Sequence, residues 1–369
     1  MMPVRVAIIG LGAVTRNIHL PAYSYLKDKL KVVAGCDVDM GVRMSVGKKW
    51  NLPDVYDNPR EMIEKTQPDI VSICTPPFLH QEQCLMALDY GCHVLCEKPI
   101  AESLSRIDEI IQASDKAKRF VVVNSQFPYM NIHSGAKKLI GSPEFGRLLF
   151  LHAWQTFRPT AMTEAGWRGQ LKQRVCFEFG VHVFDLIRFF FNDTPVRIFA
   201  SMPSPEPDIK SDPLNIISVE FADGRAASIV LDRLSKGPER YLDIRLDGEF
   251  ASIHTSIGGE IRFEMGIHTK EKRPFMGFNF VKGGKARLQD GNRSKLIAKD
   301  GINPFACAMA VHFGNFIQAI QGGGTPFGTA RDNRNTMALV FAAYDSAQTG
   351  KLVELSDYIK DRKISKDVR

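Results

Sequence analysis

The first third of the chain alternates short apolar runs with segments of helical character. The runs are continuously apolar, which is typical of strands covered on both faces of a sheet. The segment 81–90 ends at Gly91, a residue type that favours helix termination. This alternation predicts a doubly wound parallel sheet. Its strands are predicted at Val4–Ile9, Leu30–Cys36, Ile70–Thr75, His93–Glu97 and Phe120–Asn124, with a weaker one near Val55.

After Asn124 the pattern predicts an α+β domain with an open, mostly antiparallel sheet. Asp223-Gly224 separates two apolar runs and predicts a hairpin turn. Helices are expected to cover one face of this sheet, and a second subunit is expected to contact the other. Helices are predicted near 131–140, 178–191, 304–320 and 330–348, and strands at 147–157, 196–201, 214–221, 225–231, 240–247, 250–254 and 259–264.

A glycine motif follows the first strand. Gly10 permits a tight turn, Gly12 lets the backbone approach a pyrophosphate, and the next helix offers unpaired N–H groups. Thr15 stands where a third glycine is usual, so the contact between helix and strand is expected to widen without losing the site. The motif predicts a dinucleotide site formed by Gly10, Gly12, Ala13, Val14 and Thr15.

Asp37 follows the second strand, where an acidic residue accepts hydrogen bonds from ribose hydroxyls. Val38 comes next, so no adjacent cation is available for a 2′-phosphate. The sequence therefore favours NAD over NADP. Arg16 and Arg43 are the residues that could reverse this preference, and the alternative for Asp37 is an ordinary turn residue.

Two further motifs end neighbouring strands, at the edge where open α/β sheets bind ligands. Thr75-Pro76-Pro77 is followed by His80, and Glu97-Lys98-Pro99 ends the next strand. Lys98 is a candidate for contacting both the cofactor and a substrate hydroxyl, with a surface lysine as the alternative. The other candidate cofactor contacts here are Thr75, Pro76, His80 and Glu97.

Glu178, His182 and Asp185 follow an i, i+4, i+7 spacing that places them on one stripe of an otherwise apolar helix. Ionisable groups on such a helix need partners or a cavity, because burying them unpaired costs several kcal/mol. A functional site, a satisfied core network and a metal site all remain open at this point.

Together these motifs, with Trp167-Arg168, resemble the family of glucose–fructose oxidoreductase, inositol dehydrogenase and MocA-type proteins. The resemblance implies a Rossmann domain over 1–124 and a substrate-binding and oligomerisation domain over 125–369. It implies an NAD(P)-dependent oxidoreductase acting on a sugar-like substrate, and a homodimer or homotetramer formed through the C-terminal sheet. It also implies that Lys98 contacts the reacting hydroxyl, that the peptide before Pro99 is cis, and that His182 is catalytic.

The resulting hypothesis is hydride transfer between the nicotinamide and a secondary alcohol. His182 accepts the hydroxyl proton, Lys98 stabilises the alkoxide, and Glu178 orients His182. Further candidate substrate contacts are Asp185, Trp167, Arg168, Trp154 and Arg158.

Glu178 stands where the family usually has Asp, and three further departures from the family pattern leave the substrate class open. Thr15 replaces the third glycine, Ser125-Gln126 stands where an Arg-rich stretch is frequent, and 173–176 replaces the usual glycine run. Two rival functions share the fold: a redox-neutral glycosidase with tightly held NAD, and a non-catalytic regulator that senses a dinucleotide or sugar.

Composition is that of a globular protein. The 369 residues are 44% hydrophobic and 24% charged, and no apolar run reaches the length of a membrane span. The N-terminus enters a strand at once, which leaves no room for a signal peptide. The seven cysteines include no Cys-x-x-Cys pair, so we expect buried thiols, no metal site and a cytoplasmic protein.

The net charge of +7 is concentrated in two segments, 270–300 and 360–369. We interpret them as a solvated loop and tail, with a basic loop beside an anionic substrate as the alternative. The sequence contains no nucleic-acid-binding module with a basic face and base-stacking aromatics, so nucleic acid is not an expected partner.

Overall fold

The computed structural model describes residues 2–157, 166–206, 209, 211–237, 239–257, 260–268, 273–281 and 283–359, with the backbone alone for 260–268 and 273–281. The predicted contact Arg158 and the basic tail from residue 360 lie outside these residues. No helix among them has the length and hydropathy of a membrane span.

A parallel sheet of six strands organises the first part of the chain, in the order β3-β2-β1-β4-β5-β6. This confirms the predicted doubly wound sheet. Its strands are β1 (Val4–Ile9), β2 (Leu30–Cys36), β3 (Val55–Tyr56), β4 (Ile70–Ile73), β5 (His93–Cys96) and β6 (Val121–Val123).

The helices of this domain begin where the sequence supplies capping groups. The Asp39 side chain accepts a hydrogen bond from the Val42 amide, and Ser103 accepts one from the Arg106 amide, which satisfies otherwise unpaired donors at the helix starts. A π-helical turn at Thr15–His19 precedes the first α-helix. The helices are α1 (Leu20–Ser24), α2 (Met40–Trp50), α3 (Pro59–Thr66), α4 (Pro77–Asp89) and α5 (Leu104–Ala117).

A mixed sheet of nine strands forms the second part, in the order β16-β15-β12-β11-β7-β10-β9-β8-β17. Only β7 and β10 pair in parallel, so the predicted mostly antiparallel sheet is confirmed. Its strands are β7 (Leu148–Thr156), β8 (Arg197–Ser201), β9 (Leu214–Glu220), β10 (Ala226–Asp232), β11 (Arg240–Gly248), β12 (Ser252–Ile257), β15 (Lys285–Asp290), β16 (Arg293–Lys299) and β17 (Val353–Glu354). β13 (Glu260–His268) and β14 (Arg273–Val281) form a separate two-stranded ribbon.

The predicted hairpin at Asp223-Gly224 joins β9 to β10. The Phe221 amide donates to the Arg225 carbonyl over 2.9 Å, and Gly224 has a φ of +84°.

The prediction of a solvated loop over 270–300 is wrong, because this segment contributes β14, β15 and β16. The lysine-rich strand β16 lies at the sheet edge, where charged side chains oppose pairing with another chain.

Four helices follow the first domain: α6 (Asn131–Leu139), α7 (Val181–Phe191), α8 (Pro304–Gly322) and α9 (Ala330–Thr349). Helices α7 and α9 pack in one core with the inner face of the nine-stranded sheet, as predicted for the C-terminal helix. Helix α8, predicted to cover the same sheet, instead packs on the parallel sheet, where Phe313 and Phe316 join Val6 and Ile8 in the core. The boundary at residue 125 therefore separates the sheets, while α8 returns to the first of them.

Candidate active site

The glycine turn after β1 is closely packed on one side and open on the other. Gly10 has a φ of +90°, and a Cβ there would lie 2.8 Å from the carbonyl oxygen of Cys74, so only glycine fits. A Cβ at Gly12 would meet no atom within 4 Å. The turn thus leaves free space at the position where the motif predicts a pyrophosphate.

Thr15 closes the turn from behind. Its side chain is fully buried, and its hydroxyl donates to the Gly10 carbonyl oxygen over 2.6 Å. Thr15 lies in the π-helical turn Thr15–His19 and is not part of the pocket wall. Thr15, which was predicted to contact the cofactor, therefore supports the glycine turn from behind. Its hydroxyl bond to Gly10 holds the helix against the strand, where a third glycine would allow close packing.

Asp37 fixes the other side of the turn. One carboxylate oxygen accepts from the Leu11 amide over 2.8 Å, and the other accepts from the Asp39 amide over 3.0 Å. Arg43 donates to the Asp37 carbonyl oxygen over 2.7 Å and approaches the Asp57 carboxylate within 3.5 Å. Of the two cations that could favour NADP, Arg43 is thus held by backbone and by a second aspartate, and Arg16 donates to the Gly12 carbonyl oxygen over 3.3 Å.

His80 lies behind the pocket wall. It is fully buried, with Nε2 2.8 Å from the Thr75 carbonyl oxygen and Nδ1 2.9 Å from that of Pro99. Both ring nitrogens are engaged, so the predicted cofactor contact by His80 is wrong. The ring instead links the two strand-end motifs. The Lys98–Pro99 peptide is cis, as the resemblance implied.

Lys98 joins the two domains. Its Nζ donates to the Glu178 backbone carbonyl over 2.9 Å and lies 5.8 Å from the centre of the Phe179 ring. Burial moves the pKa of Lys98 below its ordinary value, against the opposing charges of Glu178 and Glu97.

Glu178 has different partners from those predicted. Its buried carboxylate accepts from Arg168 Nε over 2.8 Å and from Arg174 Nε over 3.2 Å. Among the described residues, no hydrogen bond joins the Glu178 side chain to His182, either directly or through a third side chain. Glu178 lies in a π-helical turn, Cys176–Gly180, which precedes α7 and shifts the register of the expected α-helical stripe. The predicted orientation of His182 by Glu178 is therefore wrong.

His182 is buried on α7 with its ring stacked on Phe127, the centroids 4.0 Å apart and the planes within 4°. Burial moves the pKa of His182 well below its ordinary value, and the charge of Lys98 moves it further down. The imidazole is therefore neutral at pH 7 and able to accept a proton. No hydrogen bond joins its ring to another described residue.

Asp185 lies one helical turn further into the core. Its carboxyl group faces Thr336 on α9, with Oγ1 and Oδ1 3.5 Å apart, and it is not part of the pocket wall. Burial raises its pKa to about 7, which the charge of Arg188 opposes. The structure thus assigns Asp185 to the core network and not to a substrate contact.

Trp167 and Arg168 reach the pocket from the short helical turn Gly166–Gln170. The Trp167 ring meets Phe78 of α4 edge-on at 6.4 Å, and the Arg168 guanidinium stacks on the same indole at 4.3 Å. Trp154 lies elsewhere, on the exposed face of the second sheet beneath Arg240. Its prediction as a substrate contact is therefore wrong.

One cavity of about 510 Å³ connects the glycine turn and Asp37 to Lys98 and Arg168 across both domains, and His182 lies behind its wall. Asp57 and Gln83 also face this cavity, although neither belongs to a recognisable motif. No cluster of three His, Cys, Asp or Glu side chains that could hold a metal ion occurs among the described residues. The predicted residues on its wall are Gly10, Gly12, Ala13, Val14, Asp37, Thr75, Pro76, Glu97, Lys98, Trp167, Arg168 and Glu178.

Comparison with known proteins gives relatives for the whole chain. A D-apiose dehydrogenase from Paraburkholderia graminis is 24% identical over 364 residues, covering 95% of this chain and 89% of that one. D-glucoside 3-dehydrogenase from Escherichia coli is 40% identical over 114 residues, 31% of this chain and 32% of its own.

Solved structures share the fold. An oxidoreductase from Agrobacterium radiobacter, solved with NAD+, L-tartaric acid and magnesium, matches with a TM-score of 0.81 at 19% identity, over 96% of this chain and 99% of that one. The family model of oxidoreductases with an NAD-binding Rossmann fold matches residues 4–125, and the C-terminal domain model of the same family matches 133–254. The chain belongs to the Gfo/Idh/MocA family of NAD-binding oxidoreductases.

Proposed function

We propose that the chain transfers a hydride between NAD and a secondary alcohol of a sugar, polyol or sugar derivative. The observation that carries this proposal is the single cavity joining the glycine turn and Asp37 to Lys98 and Arg168. Relatives named as apiose, inositol and glucoside dehydrogenases support a sugar-like substrate.

The residues at the first end of the cavity fit a dinucleotide. The open space at Gly12 admits a pyrophosphate, and the Asp37 carboxylate is available to ribose hydroxyls. When bound, NAD supplies the hydride acceptor of the reaction. The residues that would hold it are Gly10, Gly12, Ala13, Val14, Asp37, Thr75, Pro76, Glu97 and Lys98.

Charge favours NAD over NADP. Asp37 and Asp57 both face the cavity, and each would repel a 2′-phosphate. The Arg43 guanidinium already donates to the Asp37 backbone carbonyl and pairs with the Asp57 carboxylate, so it is only partly available to a 2′-phosphate.

Lys98 and His182 carry the proton chemistry in this proposal. The Lys98 ammonium donates a hydrogen bond to the oxygen of the reacting carbinol and stabilises developing negative charge there. The neutral His182 ring accepts the hydroxyl proton at a nitrogen. Glu178 acts through its partners, because its carbonyl fixes the lysine and its carboxylate fixes Arg168.

Trp167 and Arg168 are the proposed substrate contacts. The indole offers an apolar face to a sugar ring, and Arg168 remains 46% exposed at the cavity. Its two terminal nitrogens make no hydrogen bond to a described residue, so they are available to substrate oxygens.

The second sheet supports a homodimer or homotetramer. Its face away from the helices carries the exposed side chains of Trp154, Phe199 and Ile216, an apolar surface that a second copy would cover. A cytoplasmic location is supported by the cysteines, all seven of which are free thiols, although Cys307 is exposed and not buried as expected.

The test is a screen of sugars, polyols and nucleotide sugars with NAD and NADP, following nicotinamide absorbance. We expect stoichiometric reduction of NAD with at least one sugar-like alcohol. Lys98→Met should lose at least about 100-fold in turnover while still binding NADH. The exposed Lys65→Met variant is the matched control. Full activity in Lys98→Met would contradict the proposal.

A further inference from the structure

A buried polar cluster lies behind the pocket wall, under the glycine turn. His19 ends the π-helical turn Thr15–His19 that follows the glycine motif, and its side chain is fully buried. Its Nε2 lies 2.6 Å from a carboxylate oxygen of Glu97. This joins the cofactor turn to the strand end that carries Lys98, across 78 residues of sequence.

Glu97 extends the connection to the lysine. The oxygen that faces His19 also accepts from Asn124 Nδ2 over 2.7 Å. The other oxygen accepts from the Lys98 backbone amide over 3.2 Å. Lys98 then reaches the second domain through its 2.9 Å bond to the Glu178 carbonyl. Hydrogen bonds, together with the Lys98 side chain, therefore connect the turn that follows the glycine motif to the second domain.

Because the cluster is buried, its stability depends on how the charge of the Glu97 carboxylate is balanced. A buried carboxylate without a partner costs several kcal/mol, so Glu97 requires its donors. Burial raises the pKa of Glu97, but the bond to His19 and its charge outweigh burial and hold the pKa below its ordinary value. The bond to His19 therefore favours the ionised form of the Glu97 carboxyl group.

The Nδ1 edge of the His19 ring contacts side chains from α1 and from β4 and the residue just after it. Nδ1 lies 3.2 Å from the Tyr23 hydroxyl of α1, 3.2 Å from the Ser72 hydroxyl of β4, and 3.5 Å from the Cys74 thiol. Burial lowers the pKa of His19, but the effects of Cys74, Tyr23 and Glu97 outweigh it and raise the pKa well above its ordinary value. Both ring nitrogens thus have partners.

We propose that His19 is a positioning residue, which holds Glu97, and through Glu97 the Lys98 backbone, in a fixed relation to the glycine turn. This inference rests on the proposed function, since it concerns how Lys98 meets the cofactor. It goes beyond that function because it makes the position of Lys98 depend on the position of the glycine turn. A purely structural role would affect folding stability alone.

Two substitutions separate these roles. In His19→Gln the amide nitrogen can replace Nε2 as a neutral donor to Glu97, whereas His19→Leu has no donor. For His19→Leu we expect NADH affinity about tenfold weaker by fluorescence titration, a fall in kcat of about 100-fold and a nearly unchanged KM for the alcohol. His19→Gln should recover most of kcat. His93→Gln, at the opposite end of β5, is the matched control.

Wild-type NADH affinity and kcat in a folded His19→Leu protein would overturn the proposal, as would a His19→Gln variant as impaired as His19→Leu. A measurement independent of turnover uses ¹⁵N-labelled histidine and NMR. We expect Nε2 of the His19 ring, which faces the Glu97 carboxylate, to stay protonated throughout an NMR titration around neutral pH.

An Nε2 without a proton in the wild-type protein would also overturn the proposal, because that nitrogen could not donate to Glu97. If the wild-type protein oxidises no alcohol, the proposed function fails by itself. The NADH titration and the NMR titration then still decide the role of His19.

Discussion

The Lys98 ammonium of the first domain donates a hydrogen bond to the backbone carbonyl of Glu178 in the second, over 2.9 Å. This bond fixes the lysine where the cofactor end of the cavity meets the substrate end. Because the acceptor is a backbone atom, the contact does not depend on the glutamate side chain, which pairs with Arg168 and Arg174.

The role of His182 predicts a particular pH dependence. We expect His182→Ala to lose at least about 100-fold in turnover. Because burial and Lys98 move the pKa of His182 downward, the acid limb of wild-type kcat/KM should lie below pH 6.5. His254→Ala, on β12, is the control. An acid limb that persists unchanged in His182→Ala would contradict the assignment.

The two glycines of the turn should respond differently to substitution. Gly12→Val places a side chain in open space on the pocket wall, so we expect NADH affinity to fall at least about tenfold with an unchanged melting temperature. Gly10→Ala creates a clash with the Cys74 carbonyl at a φ of +90°, so it should lower the melting temperature. Equal effects of both variants on NADH binding and stability would count against this geometry.

Cofactor preference should shift when Asp37 is replaced. Asp37→Ser removes the charge that repels a 2′-phosphate and leaves Arg43 nearby, so we expect NADPH affinity relative to NADH to rise about tenfold or more. Asp69→Ser, which removes a carboxylate that accepts from the Arg5 amide, is the control. Unchanged relative affinities in Asp37→Ser would exclude Asp37 as the determinant.

Asp185 should make stability depend on pH. Its pKa is about 7 in the folded protein and about 3.9 in an unfolded chain, so the folded state binds the additional proton between these values. Stability from this group is therefore lost as pH rises from about 4 to about 7. Relative to wild type, Asp185→Asn should gain up to about 4 kcal/mol in unfolding free energy across this range.

We expect the opposite pH dependence of stability for Asp223→Asn. The hydrogen bond from Arg225 lowers the pKa of Asp223, so the variant should lose its difference from wild type as pH falls. Urea unfolding measures Asp185→Asn between pH 4 and pH 8, and Asp223→Asn between about pH 4 and about pH 2, where a carboxyl group with a lowered pKa titrates. A pH-independent difference for Asp185→Asn would show that its carboxyl group ionises normally in the folded protein.

Local patterns predicted the frame of the molecule well. The apolar runs predicted the bounds of β1 and β2 correctly, because these buried parallel strands contain only one charged residue each, Arg5 and Lys31. The glycine turn, Asp37 and Lys98 were also predictable, since each follows a strand at the ligand-binding edge.

Other features depend on contacts that local sequence does not encode. The π-helical turn at Cys176–Gly180 leaves no periodic signal, so the stripe through Glu178 was assigned the wrong partners. His19 was missed because its partner Glu97 is 78 residues away. The edge strand β16 resembled a loop because an exposed edge strand lacks an apolar period, and its neighbour β15 has only two buried positions, Ala286 and Leu288.

The most direct test of the central claim follows the hydride itself. An alcohol from the screen, deuterated at the reacting carbinol carbon, is incubated with the wild-type protein and NAD, and the nicotinamide is analysed by mass spectrometry. The account predicts one deuterium in each NADH formed, in amounts equal to the ketone product. NADH without deuterium, or turnover of the sugar with no net NADH, would contradict it.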